Sequence, residues 1–358
     1  MNQILKCWKL LIYGGVDKEE YARLLPSIRE ENRVLVKLFS QIAGVMFFLL
    51  FITSMLSRGF MTVNSTTYFI CSFVMLAILA CVHFVVPKQP ALVMVLVYIF
   101  ELLLYAFGIR ISMLHADKPA VSAVAFLLVS PLLFYDRPIR LSAMIGGVAA
   151  VFCAIAYRFK QLDVANIDAW NTITFGLVAV VTTVFTMSIK VRALSQSRQI
   201  EYLSQTDLMT GVKNRNHYEE QLLKYPDMCD SGLICVYGDV NGLHELNYRE
   251  GHQAGDKMLL EVAEAMQQYF GAEHTYRVGG DEFVAFRMDG HPEGTVADVA
   301  RMSQALDEKG YHVSFGTAVY VKAEGAVDMH ELVKEAEYNM YAVKQDFYRQ
   351  PENNRRNR

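Results

Sequence analysis

The 358-residue chain has six cysteines but no Cys-x-x-Cys pair and no regular cysteine spacing. A zinc knuckle or a disulfide framework is therefore not the organising chemistry, and no disulfide partner is expected. Cys71, Cys81 and Cys153 lie in apolar runs and read as small buried hydrophobes. Charge is also scarce, at 20% against 53% hydrophobic residues, which is apolar for a soluble protein. There is no basic excess in the C-terminal part, which argues against a nucleic-acid partner. A signal peptide is excluded as well, because the first apolar stretch starts only after a polar, mixed-charge segment of more than 30 residues.

What charge there is divides sharply. Residues 1–203 carry 18 Lys/Arg and 11 Asp/Glu, whereas residues 204–350 carry 13 and 25. A net of +7 followed by a net of −12 implies two parts in different physical settings. The first part contains six long apolar stretches, at 38–57, 67–86, 91–109, 119–134, 139–157 and 169–189. A bilayer span needs about 20 residues, so six membrane helices are expected over 38–189, the fourth being short and holding Pro131. Lys6, Lys9, Lys18, Arg23, Arg29, Arg33 and Lys37 precede the first stretch. Arg137 and Arg140 lie between the fourth and fifth, and Lys190, Arg192 and Arg198 follow the sixth. The alternate connections hold fewer positives: Arg58, then Arg110 and Lys118, then Arg158 and Lys160. Positive charge favours the cytoplasm. The expectation is a multi-pass protein of a bacterial inner membrane, with lipid around it and both termini cytoplasmic. Glu101 is the one acidic residue well inside a stretch, and a bundle-facing position is expected for it. Six spans also permit a transporter or channel, but no charged pathway or repeated half supports that reading.

Residues 1–37 read as a cytoplasmic segment whose amphipathic part, 17–37, is interrupted by Pro26, where a break or kink is expected. Residues 190–206 continue the sixth stretch as a connector helix, with Val191, Leu194, Ile200 and Leu203 at roughly helical intervals. The tail, 350–358, is polar and basic and reads as disordered.

The acidic part, 207–349, reads as an α/β domain with a mostly antiparallel sheet and helices on one or both faces. Asn214 caps a helix to about Leu223. Leu233–Tyr237 is a central strand, with Asp239 following at its C-terminal end. A polar stretch, 241–251, precedes a helix with Leu259, Val262, Met266 and Phe270 on its packing face. Strands at about 274–278 and 283–287 flank Gly279-Gly280, which predict a two-residue turn using positive φ. Helix 295–308, strand 311–321 and helix 328–346 complete the domain. Two carboxylates, Asp281 and Glu282, stand at the turn. Antiparallel pairing would bring Asp281 toward Asp239, a pattern suited to a divalent ion shared with substrate phosphates.

On these residues the region 204–346 resembles the GGDEF family, the diguanylate cyclases. The carrying motifs are Gly279-Gly280-Asp281-Glu282-Phe283 on a hairpin, Asp207 to Asn214, and Asp239 to Asp256. The resemblance implies the nucleotidyl cyclase palm fold and condensation of two GTP molecules into cyclic di-GMP, with two pyrophosphates released by a homodimer joined through connector and GGDEF domain. It implies Mg²⁺, with Mn²⁺ as the alternative ion, held by Asp239, the carbonyl of Val240, Asp281 and Glu282. Glu282 and Asp281 would be catalytic, with Lys344 a phosphate contact of the last helix. Asn247 and Asp256 would read guanine, and Gly279 and Gly280 would let the backbone approach the triphosphate.

Several positions depart from the family pattern. Asn241 stands where a second aspartate is common, His244 where a phosphate-contacting lysine is frequent, and Tyr248 where aspartate is common. Phe347-Tyr348 replaces a Gly-Arg pair, with Arg349 one residue away as a candidate substitute. Phe270 to Glu273 lack the arginine of the product-binding motif, and no hydrolase signature occurs. These departures keep a second reading open, a weak or inactive domain acting as a nucleotide-binding membrane receptor.

Overall fold

The computed structural model describes residues 3–56 and 64–350; Arg58 and the tail from residue 351 lie outside the described residues. The chain divides into two compact units, Met1–Ser197 and Arg198–Arg358.

The first unit is all helix: α1 (Gln3–Tyr13), α2 (Lys18–Leu56), α3 (Ser65–Phe84), α4 (Val93–Ser112), α5 (Ser122–Val129), α6 (Pro138–Phe159) and α7 (Leu162–Gln205). Among the described residues five helices are long and apolar enough to cross a membrane, not six. The exception is the fourth apolar stretch. α5 has eight residues and passes into a 3₁₀ turn, Ser130–Leu132, at Pro131, which has no N–H to continue the α-helical ladder.

This short segment nevertheless runs antiparallel along α4. The Ala123 N–H donates to Ser112 Oγ at the end of α4 (2.9 Å). Gly108 leaves room for the Phe126 ring and the Ser122 carbonyl. Phe134 packs edge-on to Phe100 at 5.3 Å, and Tyr98 hydrogen-bonds Asp136. From Ser112 back to Tyr98 is roughly 21 Å at 1.5 Å per residue, a large part of the ~30 Å hydrocarbon thickness.

α2 continues through Pro26, where the sequence predicts a break or kink. Tyr21, Leu24 and Ile28, on both sides of Pro26, are buried together with Val16 and Val191, so tertiary packing holds this turn helical. The amphipathic segment therefore packs into the bundle. Asn32, fully buried, exchanges hydrogen bonds with the Tyr135 backbone at 2.7 and 2.8 Å. Lys160 and Asp168 form a fully buried ion pair (2.7 Å), whose remaining bonds go to the Lys118 carbonyl and the Ala120 N–H. Glu101 is fully buried in α4, and neither of its oxygens has a hydrogen-bond partner among the described residues.

The second unit contains β1 (Lys213–Asn214), α8 (Arg215–Leu222), α9 (Tyr225–Met228), β2 (Gly232–Val240), α10 (Leu243–Glu250), α11 (His252–Phe270), β3 (Thr275–Arg277), β4 (Glu282–Met288), α12 (Pro292–Asp307), β5 (Val313–Val321) and α13 (Met329–Arg349). The five strands lie in the order β1-β3-β4-β2-β5, antiparallel except for the short parallel β1–β3 pair. Alternation along the strands builds two cores. Val236, Val240, Phe283 and Ala285 meet Leu259, Val262 and Met266 of α11 and Met302 of α12. Cys235, Tyr237, Val284 and Phe286 meet Tyr225 and the α13 residues Leu332, Val333, Ala336 and Met340. α13 crosses β5 at Gly316, where any Cβ would run into the backbone of Ala336 and Met340.

Local signals behave as elementary chemistry requires at the start of α8, where Asn214 Oδ1 accepts the His217 N–H at 3.0 Å. Two expectations need correction. The polar stretch 241–251 is mostly helix, because α10 packs Leu243 and Leu246 against the α11 core. The central strand extends to Val240, so Asp239 lies within it and not after it.

Candidate active site

β2 is paired on both sides and buried from Leu233 onward. Asp239, 5% exposed, stands opposite Glu282 of β4 and Ser314 of β5. Period-2 alternation puts Tyr237 and Asp239 on the face covered by α13. From that helix Lys344 Nζ donates to Asp239 Oδ1 at 2.6 Å, joining residues 105 positions apart. The Val240 N–H donates to the Asp281 carbonyl (3.0 Å), which ties the end of β2 to the glycine turn. Asp239, Asp281, Glu282 and Lys344 are thus brought together. Glu282 is held above the usual carboxylate range, first by burial and then by the negative charges of Asp239 and Asp281. Tyr237, not anticipated from the sequence, hydrogen-bonds Glu282; its place two residues before Asp239 in a strand was the available signal.

The turn itself differs from expectation. Residues 278–281 separate β3 from β4, and neither Gly279 nor Gly280 takes a positive φ. A Cβ at Gly279 would overlap the Glu282 carboxylate as placed, so a side chain there would turn that carboxylate aside. A Cβ at Gly280 would meet nothing within 4 Å. Arg277 clamps the turn: its Nη2 and Nε donate to the Gly280 carbonyl at 2.7 and 3.2 Å, and its Nη1 donates to Asp207 Oδ1 at 3.0 Å. Asp207 stays ionised below its ordinary range although burial opposes this, because Thr210 and Arg277 both donate to its carboxylate.

Asn247 and Asp256 lie on α10 and α11, two helices joined through Gly251 at φ +88°. Asn247 Oδ1 is buried without a hydrogen-bond partner, and Gly255 makes room for that amide. Asp256 is exposed one residue further on, so an acceptor pair borders the α10–α11 junction. His244 is exposed on the first turn of α10. Tyr348 lies over the start of that helix, with its hydroxyl accepting the Gly242 N–H at 3.2 Å. Arg349, the candidate substitute cation, is exposed and paired with Asp346 (3.0 Å).

For a divalent cation, the donor set fits by chemistry: three carboxylates share one strand-end region, and their mutual repulsion is what an ion of opposite charge relieves. The side chains do not close around a common point, since no group of three or more His, Cys, Asp or Glu among the described residues is drawn together as a metal cluster. The Lys344 ammonium stands on Asp239 instead.

Residues 204–350 match the family model described as diguanylate cyclase, GGDEF domain, and this region is a GGDEF domain. Among curated proteins, a cyclic di-GMP phosphodiesterase, PdeB of Shewanella oneidensis, is 33% identical over 161 residues, covering 41% of this chain and 18% of that protein. The probable diguanylate cyclase DgcC of Escherichia coli K12 is 31% identical over 117 residues, covering 31% of each. The chain thus spans less than a third of the length of either relative. A solved sensory box/GGDEF family protein from Caulobacter crescentus is 26% identical, with 40% of this chain and 99% of that one covered at a TM-score of 0.34.

Proposed function

We propose that this protein is a membrane-anchored diguanylate cyclase, joining two GTP molecules into cyclic di-GMP with release of two pyrophosphates. The observation that carries the reading is the convergence of Asp239, Asp281 and Glu282 beside the Gly279-Gly280 turn, with Lys344 reaching in from α13. Asp239, Asp281, Glu282 and the carbonyl of Val240 would hold Mg²⁺, or Mn²⁺, which when bound neutralises phosphate charge. Glu282, held above the ordinary carboxylate range, is suited to taking a proton from the attacking 3′-hydroxyl. Lys344 would leave Asp239 for a phosphate oxygen, giving charge where the transition state develops it. Asn247 offers its buried, unpartnered Oδ1 and Asp256 its exposed carboxylate to the N–H edge of guanine. The nucleophile and the leaving group belong to different GTP molecules, so two domains facing each other in a homodimer make the step effectively intramolecular.

The five long apolar helices, together with the short segment beside α4, support six crossings of a bacterial inner membrane with both termini cytoplasmic. The connector after residue 190 would carry rearrangements of the first unit to the domain. One observation favours a second reading, a nucleotide-binding receptor with little turnover: Tyr348 covers the Gly242 N–H, a donor that phosphate would use, and His244 stands in place of a lysine.

The full chain in detergent, incubated with GTP and Mg²⁺ and analysed by chromatography, tests both. Cyclic di-GMP from the wild type, lost in Asp281→Ala and in Glu282→Gln, is expected. GTP binding without any product at high protein concentration would select the receptor reading.

A further inference from the structure

Arg33, Lys37, Gln41, Val45, Leu49 and Thr53 follow one another every four residues along α2, so they form one oblique row on its surface. The row changes character part way. Its first three members are polar and the next two apolar, and Lys37 directly precedes the first apolar stretch. At 1.5 Å per residue, Lys37 and Arg33 stand roughly 1.5 and 7.5 Å before residue 38 along the helix. A headgroup layer is about 5–7.5 Å deep, half the difference between the ~40–45 Å bilayer and its ~30 Å hydrocarbon core, so both cations sit at that level.

Two hollows lie along this row and share Gln41. The first, about 630 Å³, is a groove between helices, in which Arg33, Lys37 and Gln41 of α2 face Leu76, Ala80 and His83 of α3. No Asp or Glu lines it. Lys37 is exposed and makes no ion pair among the described residues. Arg33 is paired with Glu30 at 3.5 Å, both side chains being exposed, and such a pair is worth little against a better-placed anion. The second hollow, about 580 Å³, continues from Gln41 as an apolar furrow past the exposed Ile42, Val45, Met46 and Leu49. Gln41 to Thr53 is roughly 18 Å, close to the ~15 Å depth of one leaflet's hydrocarbon.

The lipid-facing side of any spanning helix is apolar. What distinguishes this side is a basic groove without acids, set at the head of the furrow. A molecule that fills both has an anion at one end and a chain about one leaflet long at the other. We propose that the α2–α3 groove binds one anionic phospholipid of the cytoplasmic leaflet, its phosphate between Arg33 and Lys37 and one acyl chain along Ile42 to Leu49. At the junction Gln41 can donate its amide N–H groups to the ester carbonyls, which a bare phosphate lacks. This site requires that α2 and α3 cross the membrane with residue 33 on the cytoplasmic side, and it is independent of catalysis by the second unit.

The full chain in detergent is titrated with phosphatidylglycerol and, separately, with phosphatidylcholine of the same acyl chains, and bound lipid is counted by native mass spectrometry. One phosphatidylglycerol per chain should be retained, with phosphatidylcholine weaker by roughly tenfold or more. Lys37→Gln and Arg33→Gln should each weaken retention by roughly fivefold, the worth of one basic residue at an anionic surface. Arg23 is exposed on the same helix but outside the groove, roughly 15 Å from Arg33 and beyond the ~8–10 Å screening length, so Arg23→Gln should change retention by less than about twofold. Ala80→Trp fills the groove and should displace the lipid with every charge in place. Glycerol phosphate carries the same phosphate without chains and should not compete. Equal retention of the two lipids overturns the proposal. So does an Arg23→Gln loss equal to that of Lys37→Gln, which marks diffuse attraction, and so does displacement by glycerol phosphate, which marks a free-phosphate site. A chain recovered from cells in buffer without detergent would overturn the membrane reading and this site together, whereas a detergent-requiring chain with no lipid preference overturns this site alone.

Discussion

Replacing Gly316 with alanine tests how α13 positions Lys344, the proposed phosphate contact. A Cβ on Gly316 would lie 2.7 Å from Met340 Cα and closer still to the Met340 nitrogen and the Ala336 carbonyl oxygen. These are backbone atoms, so no rotamer change relieves the overlap, and α13 must move off β5 by on the order of 1 Å. Overpacking of this kind costs about 1–3 kcal/mol. At roughly 2–4 °C per kcal/mol for a domain near 150 residues, the melting transition of the domain should fall by about 2–12 °C. Lys344 lies one helical turn beyond Met340, so the same movement draws its Nζ away from Asp239 Oδ1. A displacement of ~1 Å can reduce turnover by about a hundredfold, and cyclic di-GMP formation should fall more steeply than stability. Differential scanning calorimetry of the full chain, with a chromatographic product assay, reads both quantities. Gly294→Ala is the control of opposite sign: its Cβ would have no neighbour closer than 4.0 Å in helix α12, where alanine is favoured by up to about 1 kcal/mol. If Gly316→Ala left both the melting transition and turnover at wild-type values, the close backbone contact would be refuted.

Other variants probe other links. Arg277→Ala removes the charged donor to Asp207, leaving it Thr210 alone, and the side-chain donors to the Gly280 carbonyl; it should cost about 1–3 kcal/mol, with product formation reduced further, as read by urea unfolding and turnover. Glu282 holds its proton to higher pH in the fold than in the unfolded chain, so without divalent cation stability should decline as pH rises above the ordinary carboxylate range; Mg²⁺ should reverse that decline, and a flat melting profile from pH 4.5 upward would contradict it. Asp289, at φ +54° and accepting three backbone N–H groups and the Ser231 hydroxyl, is lowered to about 2; its contribution is complete above the unfolded value near 3.8 and should vanish as pH falls through about 2, a step absent from Asp289→Gly. Lys160→Met strands a buried Asp168 carboxylate and should cost about 3–5 kcal/mol, whereas the Lys160→Met/Asp168→Leu double variant should melt closer to wild type in detergent.

The parts of this molecule legible in its sequence are those set by neighbours along the chain. The cap at Asn214, the packing face of α11 and the glycine pair before Asp281 all follow from spacing and local hydrogen bonding. What escaped was set by tertiary context. α10 looks too polar to be a helix until α11 is placed against Leu246, and α2 holds through Pro26 because Tyr21 and Ile28 are buried on either side. The fourth apolar stretch has the composition of a span but is not one continuous helix, because Pro131 ends α5 in a 3₁₀ turn. Gly279 leaves room for the Glu282 carboxylate and does not take a left-handed backbone, a distinction that one-letter patterns do not encode. The contacts of Lys344 with Asp239 and of Tyr348 with Gly242 bridge more than a hundred residues and could be placed only once the sheet was assembled.

The guanidinium of Arg277 has a consequence in the time domain. It holds the carbonyl of Gly280 and the carboxylate of Asp207 at once, so opening the turn by breaking those bonds also loosens one tie on Asp207, whose others run to Thr210 and Val212. In amide exchange the N–H groups of 279–281 and of 210–213 should therefore open as one cooperative unit with a shared free energy. Strain on the chain entering at residue 207 would then change how long the turn stays closed more than its average shape.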